Sequence, residues 1–205
     1  MNSISVGLII SLSLVFSFLI FWKFWFLRDP NRIIPAGENI VSPADGKIVS
    51  IKKIEKKSYM KIKKRQFGNI QTLVGKDVYL ITIVMDIFNV HVQRAPIKGK
   101  VTKINYSKGK FLNAIAAVPR LENEKNEITI DSGKIKVIVI QIAGFVARRI
   151  VSYVSANQNI NKGERIGMIK LGSQVCLIIP SNISLKIKVN DVVYAGESII
   201  GEIQK

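Results

Sequence analysis

"SPADGKIVSI", residues 42–51, and "APIKGKVTKI", residues 95–104, are two copies of one phrase, P-x-x-G-K-Φ-x-x-I with Φ isoleucine or valine. In each, Pro and Gly mark a turn and a run rich in β-branched residues follows, so each reads as a turn feeding a strand. A second phrase, "GERIGMI" (163–169), returns as "GESIIGEI" (196–203) and faintly as "AGENIV" (36–41). The copies are short, and they fit a β-structure built in two related parts.

The chain beyond Arg32 agrees. "VYLITIVM", "NEITI", "GKIKVIVIQIA" and "SLKIKV" are short Ile- and Val-rich runs separated by Gly, Asn, Asp and Lys, which predicts a mainly β domain (β-rich α+β). Pro-x-x-Gly and Gly-Glu, each leading into a strand, resemble the hammerhead turns of lipoyl-like β-sandwiches, so the expected fold is a lipoyl- or hybrid-motif-like sandwich or barrel. One stretch, "AGFVARRIVSYVSA" (143–156), reads as a helix, although it is rich in β-branched residues. "IKLGSQVCLIIP" (169–180) reads as one strand, with Leu171, Val175, Leu177 and Ile179 alternating onto one face. Its Gly172-Ser173 pair is unusual there, because glycine weakens a strand and by itself marks a bulge or a close backbone approach.

Residues 4–22, "ISVGLIISLSLVFSFLIFW", carry no charge. That length crosses a bilayer as a helix, and Trp22 and Trp25 belong near an interface. A signal peptide would have a basic start and a small-residue cleavage site, which "MNSIS" and its sequel lack. The expectation is a transmembrane or interfacial anchor over residues 1–27 and one folded domain over 28–205. Lys23, Arg28 and Arg32 follow the span and no basic residue precedes it, so the positive-inside rule puts the folded domain on the cytoplasmic face of the cell membrane. With 31 Lys+Arg against 14 Asp+Glu, a net +17, the domain calls for a polyanionic partner. "KKIEKKSYMKIKKR" (52–65) has no interleaved aromatic platform, so an anionic membrane surface is expected and nucleic acid is not.

Cys176 is the only cysteine and His91 the only histidine, which excludes a disulfide framework and a His- or Cys-rich metal site. Any imidazole chemistry passes through His91. Asp45, in the turn pair Asp-Gly, has an ordinary reading as a turn cap. Cys176, among apolar neighbours, reads as a small buried hydrophobe.

Taken together, the motifs are more specific. "RDPNR" (28–32), "SPADGK" (42–47), "DIFNVHVQRAPIKGKV" (86–101), "GKFLNA" (109–114), "ENEKNEI" (122–128), "QIAGFVARRIV" (141–151), "KGERIGMIKLGSQV" (162–175) and "AGESIIGEI" (195–203) stand in an order that resembles the short form of phosphatidylserine decarboxylase. Leu171 and Gln174 depart from one common version, which has an aromatic residue before Gly-Ser and an Arg after it.

The resemblance implies a self-processing, pyruvoyl-dependent carboxy-lyase that makes phosphatidylethanolamine and CO2 from phosphatidylserine. It implies cleavage between Gly172 and Ser173 into a β chain, 1–172, and an α chain, 173–205. Ser173 becomes the pyruvoyl group, no metal takes part, and Asp45, His91 and Ser173 form the catalytic triad. Serine needs a base to become a nucleophile, imidazole is the side chain suited to that near neutrality, and a carboxylate can orient it. Arg94, Arg148 and Arg149 are candidates for the lipid phosphate or carboxylate, since guanidinium forks match such oxygens. A homo-oligomer is compatible with all of this. The competing reading is a membrane-anchored lipoyl-like adaptor or carrier domain without catalysis, although the long heptad hairpin of such adaptors and a modifiable Met-Lys-Met tip are both missing.

Overall fold

The computed structural model describes residues 3–55, 77–109, 123–144, 149–170 and 173–203. The chain starts with an apolar helix, α1 (Ser3–Ile20), which continues as a π-helical segment, Phe21–Phe26. Strands then follow in order: β1 (Asn39–Val41), β2 (Gly46–Ile54), β3 (Val78–Met85), β4 (Val92–Arg94), β5 (Gly99–Ser107), β6 (Lys125–Asp131) and β7 (Lys136–Ala143). The remainder are β8 (Arg149–Ser152), β9 (Asn159–Ile160), β10 (Arg165–Lys170), β11 (Ser173–Pro180), β12 (Ser184–Leu185), β13 (Val192–Val193) and β14 (Ile199–Glu202). The mainly β class with an N-terminal apolar helix is therefore as the sequence predicts. Most of the basic stretch 52–65 lies outside the described residues.

An eight-stranded antiparallel sheet, ordered β13-β2-β3-β11-β7-β6-β5-β9, curls into a half-barrel. Two three-stranded sheets, β4-β10-β8 and β1-β14-β12, accompany it. Val175, Leu177 and Ile179 of β11 join Ile81, Ile83, Val137, Val139, Ile128 and Ile130 in the main core. The opposite face is buried too, with Cys176 and Ile178 packed among Leu80, Ile138, Ile140 and Ile142. Each such side chain contributes roughly 1.5–3 kcal/mol on burial, so β11 is among the most firmly held strands of the fold.

The repeated phrases have a structural counterpart. β2 and β5 each begin at the glycine of P-x-x-G-K. Val41 N–H donates to Pro96 O (3.0 Å) while Arg94 N–H donates to Pro43 O (2.9 Å), an exchange between matching positions of the two copies. Gly196 N–H donates to Ser42 O and Gly163 N–H to Ala95 O, both at 2.8 Å. Asn190 donates to Ile48 O and Asn157 to Val101 O, both asparagines being left-handed (φ 79° and 70°), a conformation Asn tolerates better than most residues. The core is thus closed by two hairpin-like clasps related by an internal pseudo-two-fold. Gly46 is obligatory in its clasp, because it has φ 144° and a Cβ there would strike the Val84 carbonyl.

Two readings need correction. Residues 169–180 are not one strand: β10 ends at Lys170 in one sheet and β11 starts at Ser173 in another. Leu171 and Gly172 lie in the passage between them, outside the described residues. The helix expected over 143–156 is absent from its described part, where Arg149–Ser152 pairs with β10. The β-branched Ile150 and Val151 suit a strand, and the partner edge of β10 is available to receive them.

Candidate active site

Ser173 opens β11 directly opposite Met85 on β3 and Ala143 on β7. Both partners are core residues, so residue 173 is fixed by strand pairing on either side. Gly172 falls outside the described residues.

His91 precedes β4 and is fully buried. Its carbonyl accepts from Ile169 N (3.2 Å), three positions before Gly172, and from Gln93 Nε2 (2.8 Å). Gln93 Nε2 also lies 3.8 Å from the sulfur of Met85, the strand partner of Ser173. Ile169 is thus bonded to the His91 carbonyl directly, and Ser173 is linked to it through its strand partner Met85 and Gln93.

Among the described residues the imidazole itself has one hydrogen-bond partner: Nδ1 lies 2.8 Å from Asn89 O. A carbonyl can only accept, so Nδ1 carries the proton and donates it. Nε2 then bears the lone pair, and it is buried without a hydrogen-bond partner among the described residues. Burial lowers the His91 pKa to about 4, against the opposing pull of the Asn89 hydrogen bond. The ring is neutral at physiological pH and presents an unoccupied acceptor nitrogen, which is the state a general base needs.

What packs on it is the end of the apolar N-terminal helix. The Phe26 ring lies 4.1 Å from the His91 ring and stacks on Trp22 at 4.7 Å with an 11° interplanar angle. Phe26 is fully buried, and Leu27 packs on Val90, Val92 and Met168.

Asp45 is buried but turned to other partners. Arg32 Nη2 donates to both of its oxygens at 2.9 Å, and Ala195 N donates to Oδ1 at 2.7 Å. Arg32 Nη1 reaches Glu197 Oε2 (2.8 Å), and that bond, chief among its causes, lowers the Glu197 pKa. Asp45 and His91 are thus brought to one end of the fold through β2, β3 and β11, without a hydrogen bond between them. Asn89 O holds the imidazole proton in the place the carboxylate was expected to take.

Of the three arginines, Arg94 is buried and committed: Nη2 donates to Asp29 Oδ1 (2.6 Å) and Pro30 O (3.1 Å), Nη1 to Gly163 O (3.0 Å). Arg149 begins β8 and is exposed, beside Glu124, which accepts from Ile150 N and Tyr106 Oη. Arg148 lies outside the described residues. Cys176 is inert, its thiol pushed up to about 12 by burial.

Residues the sequence did not single out complete the frame. Asn126 Nδ2 donates to Gln141 Oε1 (2.9 Å), Gln141 Nε2 to Gln93 Oε1 (2.7 Å), and Gln93 Nε2 to the His91 carbonyl. This buried amide ladder runs from β6 through β7 to β4, satisfying each amide in turn. Gly167 leaves room for it, since a Cβ there would lie 2.7 Å from Gln141 Nε2. Gln93, two residues from His91, and Arg32, in "RDPNR", were each visible within quoted motifs, but nothing local marked their long-range partners.

The model of the family described as phosphatidylserine decarboxylase matches residues 20–201. The chain belongs to the phosphatidylserine decarboxylase family. It is 42% identical to the phosphatidylserine decarboxylase proenzyme of Desulfotalea psychrophila, over 93% of this chain and 84% of that protein. It is 37% identical to the proenzyme of Magnetococcus marinus (89% and 78% covered) and 40% identical to that of Chlorobium phaeobacteroides (89% and 80%). A place among decarboxylase proenzymes does not favour the non-catalytic adaptor or carrier, and it implies a pyruvoyl group arising by self-processing.

Proposed function

We propose that this chain is a membrane-anchored, self-cleaving phosphatidylserine decarboxylase that yields phosphatidylethanolamine and CO2. The observation that carries the reading is His91: its proton is fixed on Nδ1 by Asn89, its Nε2 is buried with no hydrogen-bond partner among the described residues, and its carbonyl accepts from Ile169 N, three residues before Gly172.

In the maturation step, His91 Nε2 takes the Ser173 hydroxyl proton and the oxygen adds to the Gly172 carbonyl carbon. The C–N bond between residues 172 and 173 breaks, the nitrogen receives the proton from His91, and an ester joins the two residues. Loss of the Ser173 Cα proton then expels the ester oxygen, leaving 1–172 with a terminal carboxylate. Water replaces nitrogen on residue 173 and ammonia departs, giving the pyruvoyl end of chain 173–205.

The site suits such a group. Residue 173 would remain held by β11, with both neighbouring strands buried, and the His91 nitrogen, without a hydrogen-bond partner among the described residues, is a buried polar atom able to meet a ligand. The pyruvoyl carbonyl supplies an electron sink for the loss of CO2. His91 would hold or return a proton at the reacting carbon. Asp45 serves from within the Arg32 ion pair as a positioning group: it adjoins Gly46, which abuts Val84, the strand partner of Gln174. Arg149, exposed, is the better placed of the described arginines for a headgroup oxygen. The helix through Phe26 would anchor residues 28–205 at the cytoplasmic face of an anionic membrane, the two chains of one precursor staying together.

The test is a lipid assay. Purified protein in mixed micelles of phosphatidylserine should release CO2 and phosphatidylethanolamine, and Ser173→Ala should release neither. Equal turnover by Ser173→Ala would refute the assignment.

A further inference from the structure

The turn Asp86–Asn89 connects β3 to His91, and its two central side chains face solvent although both are large and apolar: Ile87 is 44% exposed and Phe88 58%. The turn is stiff. Asp86 Oδ1 accepts from Phe88 N (2.8 Å) and Asn89 N (3.1 Å), and Asn89 Oδ1 accepts from Asp86 N (2.8 Å). Side-chain bonds of this kind fix a turn's shape, so the exposure of Ile87 and Phe88 is built in.

This turn adjoins the membrane helix. The Phe88 ring meets Phe21 edge-on at 6.3 Å. Arg28 ties the two together, donating from Nη1 to Trp25 O (2.7 Å) and from Nη2 to Phe88 O (2.5 Å), with its guanidinium 4.5 Å from the Trp25 ring. Phe24 and Trp25 are themselves exposed at the end of an apolar helix running Val6–Phe26. Ile87 and Phe88 thereby extend the helix's apolar surface onto the folded domain, with Arg28 and Lys23 at its margin. Aromatic rings with basic residues beside them match the headgroup–acyl boundary.

We propose that the Ile87–Phe88 turn is a second membrane-insertion point, seated in the acyl boundary of the same leaflet as the end of the helix. The occupant is a lipid bilayer, argued from continuity with the 21-residue apolar helix. Because Asn89 O holds the His91 proton, insertion sets His91 at a fixed depth below the headgroups, where a lipid substrate can reach it without leaving the leaflet. The inference rests on the helix being a membrane anchor and not on the decarboxylation chemistry.

The test uses Phe88→Cys and, separately, Ile87→Cys, each labelled with an NBD fluorophore. The one native cysteine, Cys176, is fully buried and escapes labelling. Lys134→Cys, at an exposed position, serves as the reference. Full-length protein is reconstituted in phosphatidylcholine–phosphatidylglycerol vesicles with and without brominated acyl chains. The labels at 87 and 88 should be blue-shifted and quenched several-fold by bromine, and the label at 134 should not. Labels at 87 and 88 as unquenched as that at 134 would overturn the proposal. A blue shift that depends on protein concentration and not on bromine would assign the patch to a second copy of the chain, and overturn it too. Should Phe88→Cys fold poorly by circular dichroism, the Ile87→Cys label decides the same question.

Discussion

The ring of Phe26, the last residue of the apolar N-terminal segment, covers the ring of His91 at 4.1 Å, and both residues are fully buried. The end of the apolar helix therefore also dries the imidazole that is proposed as the base. Removing the cover should let water reach Nε2. Phe26→Ala is expected to raise the His91 pKa from about 4 toward the ordinary 6.5. With a single histidine in the chain, selectively labelled histidine gives one NMR titration to follow. A midpoint unmoved by Phe26→Ala would mean that other groups desolvate the ring.

The same shift fixes a pH dependence of stability. The unfolded chain protonates His91 near 6.5 and the folded one near 4, so between those values the unfolded state holds more protons. Stability is complete above pH 6.5 and falls as pH drops through the window, by up to about 3 kcal/mol from this residue. Glu197, whose pKa is lowered by Arg32, adds its own loss at acid pH. Comparing urea midpoints at pH 7 and 4.5 for wild type and His91→Gln isolates the histidine: the difference should shrink in the variant.

Arg32 neutralises a buried carboxylate that has one other donor among the described residues, Ala195 N. Arg32→Met should cost roughly 3–5 kcal/mol, most of it the penalty of leaving Asp45 unpaired. Adding Asp45→Asn should recover part of that loss, giving a clear coupling in a double-mutant cycle by chemical denaturation. Additive losses would mean that the pair is not coupled.

Gln93 joins the amide ladder to the His91 carbonyl. Gln93→Leu leaves the amide of Gln141 and that carbonyl short of a partner, at about 1–3 kcal/mol. Self-cleavage should slow by more than the stability loss explains, because the His91 backbone is no longer held toward Met85. Cleavage at the wild-type rate in a destabilised variant would reduce the ladder to packing.

Sequence reading went furthest where local pattern and turn chemistry agreed. P-x-x-G-K announced β2 and β5 because both clasps need a glycine that lets strands approach closely, at Gly46 against Val84 and at Gly99 against Asp131. It failed at 169–180 because Ile169 and Leu171 continue the alternation of Val175 and Leu177, and alternation cannot reveal that a chain changes sheets between Lys170 and Ser173. The partners of Asp45 were equally hidden: Arg32 lies 13 residues away and Ala195 lies 150 away, contacts that only the closed fold creates. Arg94 looked available beside His91, yet its guanidinium is spent on Asp29, Pro30 and Gly163.

The central claim is that the chain cuts itself at Gly172-Ser173, and intact mass of the purified protein tests it most directly. Two polypeptides of roughly 19 and 3.5 kDa are expected from lengths of 172 and 33 residues, the smaller lacking a free amino terminus and both replaced by one chain in Ser173→Ala. A single 22.9 kDa species from active wild-type protein would contradict it.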